Sequence, residues 1–379
     1  MRSIEVSADR SLAKLGSGHI LYSLYSGLEK HNLTTLGGRV ADVGLGGYAL
    51  GGGLSSLSPA YGLAMDNVFE YELVLPNSTI VNVNQDSHPD LYFALRGGMS
   101  NFGIITHFTM RAVPQGQVYG GSRTFPSQLR EEVLQQAFEL TTQWKNNTAM
   151  AFYSHFTYRQ NEDDLDITVH QEYERPTLDP PPFRQLNRLP STSDNLRIDW
   201  TSSFSREFIF PGGYRNLFAT ATYQPSVDID RKVQDILIEE LQPCKAIPGL
   251  LPSIVTQPIY EEAIRANVLL LTMRWNNEKD DATISALVDR WLQRSLAIIQ
   301  EAGKGNPWLY INYTSKSQDP FAGYGEKNRQ RLIAIQKEVD PRGTFTSKAF
   351  AGGTLSFVKF DLVDMTKGWE NITAKTRVS

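Results

Sequence analysis

The sequence predicts an α+β protein of two or three domains, and three observations carry that prediction. The chain has 379 residues, and about 150 residues make a domain. Runs 118–125, 149–159 and 165–173 are aromatic and β-branched, as the strands of one sheet would be. Residues 128–145 and 226–241 carry helical periodicity instead. Composition fits a folded globule, with 41% hydrophobic and 21% charged residues. It also excludes several function classes. Lys plus Arg number 37 against 41 Asp plus Glu, a net charge of -4, which leaves no basic footprint for nucleic acid. Apolar runs such as Val268–Leu271 fall far short of a membrane span. The single Cys244 excludes an internal disulfide or a cysteine-based metal site.

The elements follow in chain order. Met1–Val6 has no apolar targeting region and reads as a strand. Residues 10–33 read as a helix, with Leu12, Leu15, Ile20, Leu21, Leu24, Tyr25 and Leu28 spaced by three and four. Glu70–Leu75 and Thr79–Val83 read as strands split by the turn Pro76-Asn77-Ser78. Pro89–Leu95 reads as a short helix and Gly103–Arg111 as a strand. The polar, proline-rich stretch from Arg175 to Asn195 is a loop, on the surface or over a site. Val268–Arg274 is a further strand; Asp281–Ala302 and Glu326–Val339 are amphipathic helices, the last stopped by Pro341 and Gly343. Five glycosylation sequons occur, at Asn32, Asn77, Asn146, Asn312 and Asn371, and they matter only in a secreted protein.

The most informative segment is rich in glycine, with eight between Gly37 and Gly53. Glycine lets a backbone approach a ligand closely and adopt positive φ, and clustered N–H groups can cradle an anion. A flexible linker is one reading, but the interleaved Val43, Leu45, Tyr48 and Leu50 argue against it. Gly44-Leu45-Gly46-Gly47-Tyr48-Ala49 also fits the dinucleotide fingerprint, with Asp66 about 20 residues on. That motif needs a hydrophobic strand before it and a helix after it. Val40–Val43 is too short and polar for the first, and Gly51-Gly52-Gly53 breaks the second.

A third reading arrives with the neighbouring motifs. Gly37-Gly38-Arg39, Val43-Gly44, Gly46-Gly47 and Leu50-Gly51-Gly52-Gly53 are followed by Tyr61-Gly62-Leu63 and Asp66-Asn67-Val68. Then come Leu73–Thr79, Asp90–Gly98 and Asn101–Thr106. Near the end stand Tyr310-Ile311-Asn312-Tyr313, Tyr324-Gly325-Glu326 with Asn328 and Arg331-Leu332, and Asp340-Pro341 with Gly343 and Phe345. This ordered series, over about residues 4–350, resembles the FAD-linked oxidoreductases of the berberine bridge enzyme and vanillyl-alcohol oxidase type, closest to the 6-hydroxynicotine oxidase-like branch.

The resemblance implies an α+β fold. A PCMH-type FAD-binding domain would span 1–115, represented by its second subdomain only. A substrate domain with an antiparallel sheet and flanking helices would span 116–300. Residues 301–350 would return to the flavin and 351–379 form a tail. It implies FAD as cofactor, with a small organic molecule and O2 as partners and neither nucleic acid nor membrane. Family members carry a preceding subdomain with a pyrophosphate loop and often a flavin-linked histidine, and the chain as given lacks that region. Gly16-Ser17-Gly18-His19 matches a later strand-to-helix turn, which leaves His19 a surface histidine. Val40 stands where some members place a flavin-linked cysteine, so flavin would be held without a covalent bond.

Carried over position by position, Gly38, Val43, Gly44, Gly46, Gly47, Gly51, Gly52 and Gly53 would lie along the flavin. Asn101, Gly103 and Ile104 match the second approaching loop, and Asn312 the C-terminal one. Asp66 belongs to the same set and, with Asn67, is suited to ordering its own loop. Arg39 could equally face an anion or stand exposed. Tyr310 and Tyr313 are the candidate bases, since a phenol accepts a proton when neighbours stabilise its anion. In a strand, Tyr310 and Asn312 would share one face and Tyr313 the other. Tyr153, His155, Tyr158, His170, Tyr173 and Tyr223 sit on strand-like segments, and alternate ones could line a pocket. Two readings stay open: an FAD-dependent oxidase of small molecules, or a redox-inactive remnant serving as a cyclase or binding protein.

Overall fold

The computed structural model describes residues 1–143, 147–160, 162–209, 212–259 and 266–346. The sequons at Asn146 and Asn371, and the tail 351–379, lie outside the described residues.

Strands β1 (Ile4–Val6) and β2 (Leu12–Gly16) open the chain, and β3 (Leu33–Thr34) follows. Next come β4 (Val68–Val74), β5 (Ile80–Val83) and β6 (Ile104–Arg111). The first sheet is antiparallel in the order β1-β2-β6-β4-β5, and β3 pairs separately with β7 (Val113–Pro114). The helix expected over 10–33 is corrected here. Residues Leu12–Gly16 are a strand, and the helix spans only Leu21–Glu29. The alternation of Ala13 and Leu15, both buried, is a two-residue period that the three-and-four spacing of leucines concealed. Gly16–His19 is indeed a strand-to-helix turn. His19 is not a surface residue, however: it is buried, with Nδ1 at 2.9 Å from Ser23 Oγ.

The second sheet contains β8 (Val118–Phe125), β9 (Met150–Arg159), β10 (Asp164–Tyr173), β11 (Ser193–Asp194) and β12 (Arg197–Asp199). It continues with β13 (Arg215–Tyr223), β14 (Leu251–Ile259), β15 (Ala266–Trp275) and β16 (Gly305–Asn306). Their order is β11-β8-β10-β9-β14-β15-β13-β16, with β12 also on β8, all antiparallel. Helices Arg130–Gln143, Val227–Leu241 and Asp281–Glu301 supply the other half of a large core with this sheet. Trp291 is fully buried there and donates its indole N–H to the Val233 carbonyl at 3.0 Å. Cys244 is buried in the same core and burial raises its thiol. The stretch 175–195, expected to be a loop, is corrected here: it holds a 3₁₀ turn at Pro181–Phe183, a short helix at Arg184–Asn187 and β11, because Phe183 and Leu186 are buried in the core, and Arg123 of β8 donates to the Asn187 and Leu189 carbonyls.

Strand parity decides which aromatics can meet a ligand. Tyr158, Tyr173 and Tyr223 point into the helix-covered core, while Tyr153, His155 and His170 point to the other face. That other face looks toward the glycine-rich segment.

One buried polar group in the core yields a pH prediction. Asp230 accepts from Tyr223 Oη and, at 3.4 Å, from Thr256 Oγ1, and burial pushes its carboxyl up from 3.8 to about 7. A raised folded-state value means the group favours folding at acid pH and loses that contribution as pH climbs to about 7. Wild type should therefore lose thermal stability between about pH 4 and 7, and Asp230→Asn should flatten that slope. Melting curves across that range check it; equal slopes would show that Asp230 does not titrate there.

Candidate functional site

The glycine-rich segment is not a series of open turns. A short helix, Leu45–Leu50, runs through Gly46 and Gly47 and stops at Gly51. The apolar stripe Leu45, Tyr48, Ala49 and Leu50 is buried and anchors it. Gly52 and Gly53 then reverse the chain at φ 105 and 80, a conformation that glycine adopts without strain. Their carbonyls accept from Met65 and Ala64 N–H groups, both at 2.9 Å.

The predicted glycines separate into two groups. Beside Gly44 and Gly47 there is no protein within 4 Å of where a Cβ would stand, and at Gly46 only the Ser17 carbonyl, at 3.8 Å. These three present open backbone. Val43 at 36% and Ile104 at 50% exposure are outward-facing apolar side chains. Gly38 and Gly53 are packed instead: a Cβ at either would come within 3 Å of the Tyr48 ring. Gly103 is likewise structural, since its Cβ would lie 2.5 Å from the Val74 carbonyl oxygen. Gly51 faces the Asn312 amide, and Gly52 lies against the Tyr310 ring.

The second loop, 97–103, is tied to the first by the Met99 N–H, which reaches the Leu50 carbonyl at 3.4 Å. Asn101 is fully buried and donates to the Gly98 carbonyl at 2.7 Å, while its Oδ1 has no partner among the described residues. Asp66 turns away from this space. It accepts from the Leu63 N–H at 3.0 Å and from Arg96 Nη2, and Asn67 donates to the Tyr61 and Leu63 carbonyls. Both order their own loop, as their short side chains suggested.

The Tyr-x-Asn-Tyr element departs from expectation. It is a 3₁₀ turn, Ile311–Tyr313, closed by the Tyr313 N–H donating to the Tyr310 carbonyl at 2.8 Å. Residues three apart eclipse in such a turn, so Tyr310 and Tyr313 share a side, with ring centroids 4.6 Å apart. Asn312 Nδ2 donates to the Tyr48 carbonyl at 3.2 Å and to Tyr310 Oη at 3.0 Å, fastening the turn to the glycine-rich helix. An amide so engaged is a poor glycan acceptor. Tyr310 is 2% exposed, also accepts from the Leu54 N–H at 3.1 Å, and burial pushes its hydroxyl well above the usual phenol range.

Tyr313 has a different neighbour. Arg39 Nη2 donates to its oxygen at 2.6 Å, and the guanidinium carbon lies 3.8 Å from the Tyr153 ring centre. Arg39 is thus neither exposed nor against an anion of the chain. Behind Tyr153 stacks His170 at 4.6 Å, and His155 and Phe208 close the group at 5.4 and 5.9 Å. Burial, then the Arg39 charge, pushes His155 down to about 3, and burial holds His170 well below its usual value, so both rings are neutral. Phe218 of β13 stands edge-on to Tyr313 at 6.4 Å. Sequence reasoning could not choose among these residues. The missed signal was the i, i+2 pairing of Tyr153 with His155 and of His170 with Glu172, read across adjacent strands.

Open backbone at Gly44–Gly47, flanking apolar Val43 and Ile104, and the orphaned Asn101 Oδ1 suit a large, flat, hydrogen-bonding cofactor such as FAD. No His, Cys, Asp and Glu grouping among the described residues could hold a metal ion, and no described helix is long and apolar enough to cross a membrane.

The comparisons with known proteins point the same way. An FAD binding domain family matches residues 1–84. The chain is 30% identical over 385 aligned residues to the FAD-dependent monooxygenase FUP4 of Fusarium proliferatum, covering 92% of this chain and 74% of that protein. It is 26% identical to the bifunctional solanapyrone synthase of Alternaria solani, covering 91% and 69%. In fold it resembles 6-hydroxy-D-nicotine oxidase from Arthrobacter nicotinovorans, with a TM-score of 0.76, 21% identity, and 93% and 80% of the two chains covered.

Proposed function

Because the chain belongs to the FAD-linked oxidoreductases that include the fungal FAD-dependent monooxygenases, we propose that it oxidises its small-molecule substrate against the sheet face bearing Tyr153, His155 and Tyr313. Secondary metabolism is the proposed setting, and the named fungal relatives support it. Likeness of fold supports a place beside the 6-hydroxynicotine oxidase-like branch.

Bound FAD supplies the two-electron acceptor and the route of those electrons to oxygen. The Gly44–Gly47 backbone, Val43, Ile104 and the Asn101 turn would hold it. Val40 offers no sulfur, so the glycine-rich segment makes no covalent link. Residues 1–115 would bind the cofactor, 116–300 form the substrate wall, and 301–350 bring Tyr310–Tyr313 between them.

The observation that carries the reading is the Arg39–Tyr313 hydrogen bond at 2.6 Å. A guanidinium donating to a phenol oxygen favours its phenolate form, and it is as the phenolate that Tyr313 would take a substrate proton as hydride leaves, becoming the neutral phenol. Tyr310, buried with its oxygen engaged by two donors, positions the turn instead.

Purified protein should gain the visible flavin band on incubation with FAD, and acid precipitation should release that flavin intact. Anaerobic addition of a substrate should bleach the band, and air should restore it. Protein that stays colourless with excess FAD would refute the reading, and colour remaining in the pellet would refute non-covalent binding.

A further inference from the structure

Arg39 has a bonding capacity that neither the fold nor the proposed proton transfer consumes. A guanidinium carries five N–H donors and a permanent charge. Here Nη2 is spent on Tyr313 and the flat face on Tyr153, whereas Nη1 is buried with no partner among the described residues. No described carboxylate forms an ion pair with Arg39. Contact with an aromatic face spreads the charge but satisfies no N–H. A buried charged donor left unpaired is costly, and in a native protein it calls for an explanation.

Arg39 lines a small cavity at the junction of the glycine-rich segment and β9, β10 and β14. Its walls include Ser56, Tyr153, Glu172 and Gln257. Gln257 Oε1 is buried there and also lacks a partner. The orphans are complementary in kind, one cationic donor and one neutral acceptor around one space. The other titratable groups facing it are His155, His170 and Glu172. Burial lowers both histidines, and burial raises the Glu172 carboxyl, an effect that the Ser56 hydroxyl and then Arg39 partly offset, with no ion pair between Glu172 and Arg39.

We propose that this cavity selects a substrate carrying an acidic oxygen, a carboxylate or an ionised enol or phenol, taken by Arg39 Nη1, beside a hydrogen-bond donor that Gln257 Oε1 accepts. The inference rests on the sheet face being the substrate wall and adds its chemical class. Arg39 thereby does two things: one nitrogen holds the acidic group and the other steadies the Tyr313 oxygen.

The test uses the full chain loaded with FAD and two probes of one shape, benzoate and benzamide, titrated by flavin band shift and by calorimetry. A charge-assisted hydrogen bond predicts benzoate binding about tenfold or more tighter than benzamide. Arg39→Gln should erase that ratio, and Gln257→Leu should weaken benzamide, whose N–H Gln257 Oε1 accepts, while leaving benzoate, which carries no donor, no weaker, so that the ratio widens. If Arg39→Gln does not accumulate, Arg39→Lys decides: losing the planar fork should shrink the ratio, and an unchanged ratio overturns the proposal. Equal affinities in wild type, a ratio that survives Arg39→Gln, or no binding of either probe overturns it as well. A chain that takes no flavin yet prefers benzoate by calorimetry supports the acid site and refutes the oxidoreductase reading. A chain with the flavin band and no preference does the reverse.

Discussion

A Tyr313→Phe variant should reduce its flavin about 10²- to 10⁴-fold more slowly than wild type, the loss expected when a positioned proton acceptor is removed. Its flavin content should hold, while its melting temperature falls, because Arg39 Nη2 loses its acceptor, a loss of about 1–3 kcal/mol. Phenylalanine keeps the ring that contacts Phe218 and Tyr310 and deletes only the oxygen that Arg39 reaches. Because the proton moves in the transition state, the deficit should appear in the reduction rate and not in substrate affinity. Tyr310→Phe provides the contrast. It leaves the Leu54 N–H and one bond of Asn312 Nδ2 without an acceptor, a loss of about 1–3 kcal/mol of stability, with much the smaller effect on reduction. Rapid-reaction measurement of flavin bleaching under anaerobic conditions separates the two variants. If Tyr313→Phe reduces at the wild-type rate, the proton acceptor is another group on the same face, and His155, neutral and in reach of Tyr153, becomes the next candidate.

Much of the fold was legible because local signals agreed with tertiary demand. Pro89–Leu95, Val118–Phe125 and Glu326–Val339 appear with the bounds that periodicity and turn residues gave them. Strand β14 escaped because burial on both sides leaves no polar alternation to read, as the near-continuous burial of Leu251–Ile259 shows. The helix expected over 10–33 failed where leucines of a strand and of the following helix fell into one false register. For the site, the motif placed Tyr310, Asn312 and Tyr313 together but mistook their geometry, since a strand and a 3₁₀ turn send the two tyrosines in opposite and common directions. Arg39 was undecidable from sequence. Its partners lie at positions 153 and 313, and only the folded chain brings a residue from the glycine-rich segment against both.

Substitutions in the glycine-rich segment should split into two classes, and this split is the sharpest test of where the cofactor lies. Gly47 is inside a helix with open space beside it, so Gly47→Ala should stabilise the flavin-free protein by about 0.5–1 kcal/mol. Gly44, at φ -74, also accepts a side chain without strain. Yet if flavin lies along this backbone, bulk here occupies its place. Gly44→Leu and Gly47→Leu should therefore keep the unliganded melting temperature near that of wild type while flavin retention falls tenfold or more, about 1.4 kcal/mol of binding for each factor of ten. Gly53→Val should behave in the opposite sense. At φ 80 its side chain is strained, and its Cβ would stand 2.5 Å from that of Ala64 in a packed turn. Strain of about 1–3 kcal/mol plus the overlap should lower the melting temperature first, with flavin lost only because the turn is lost. Thermal melts with and without FAD, beside the flavin-to-protein ratio after gel filtration, distinguish a filled binding surface from a broken scaffold. Full flavin retention in both leucine variants would move the cofactor off the Gly44–Gly47 backbone, toward the Gly51–Asn312 side of the turn.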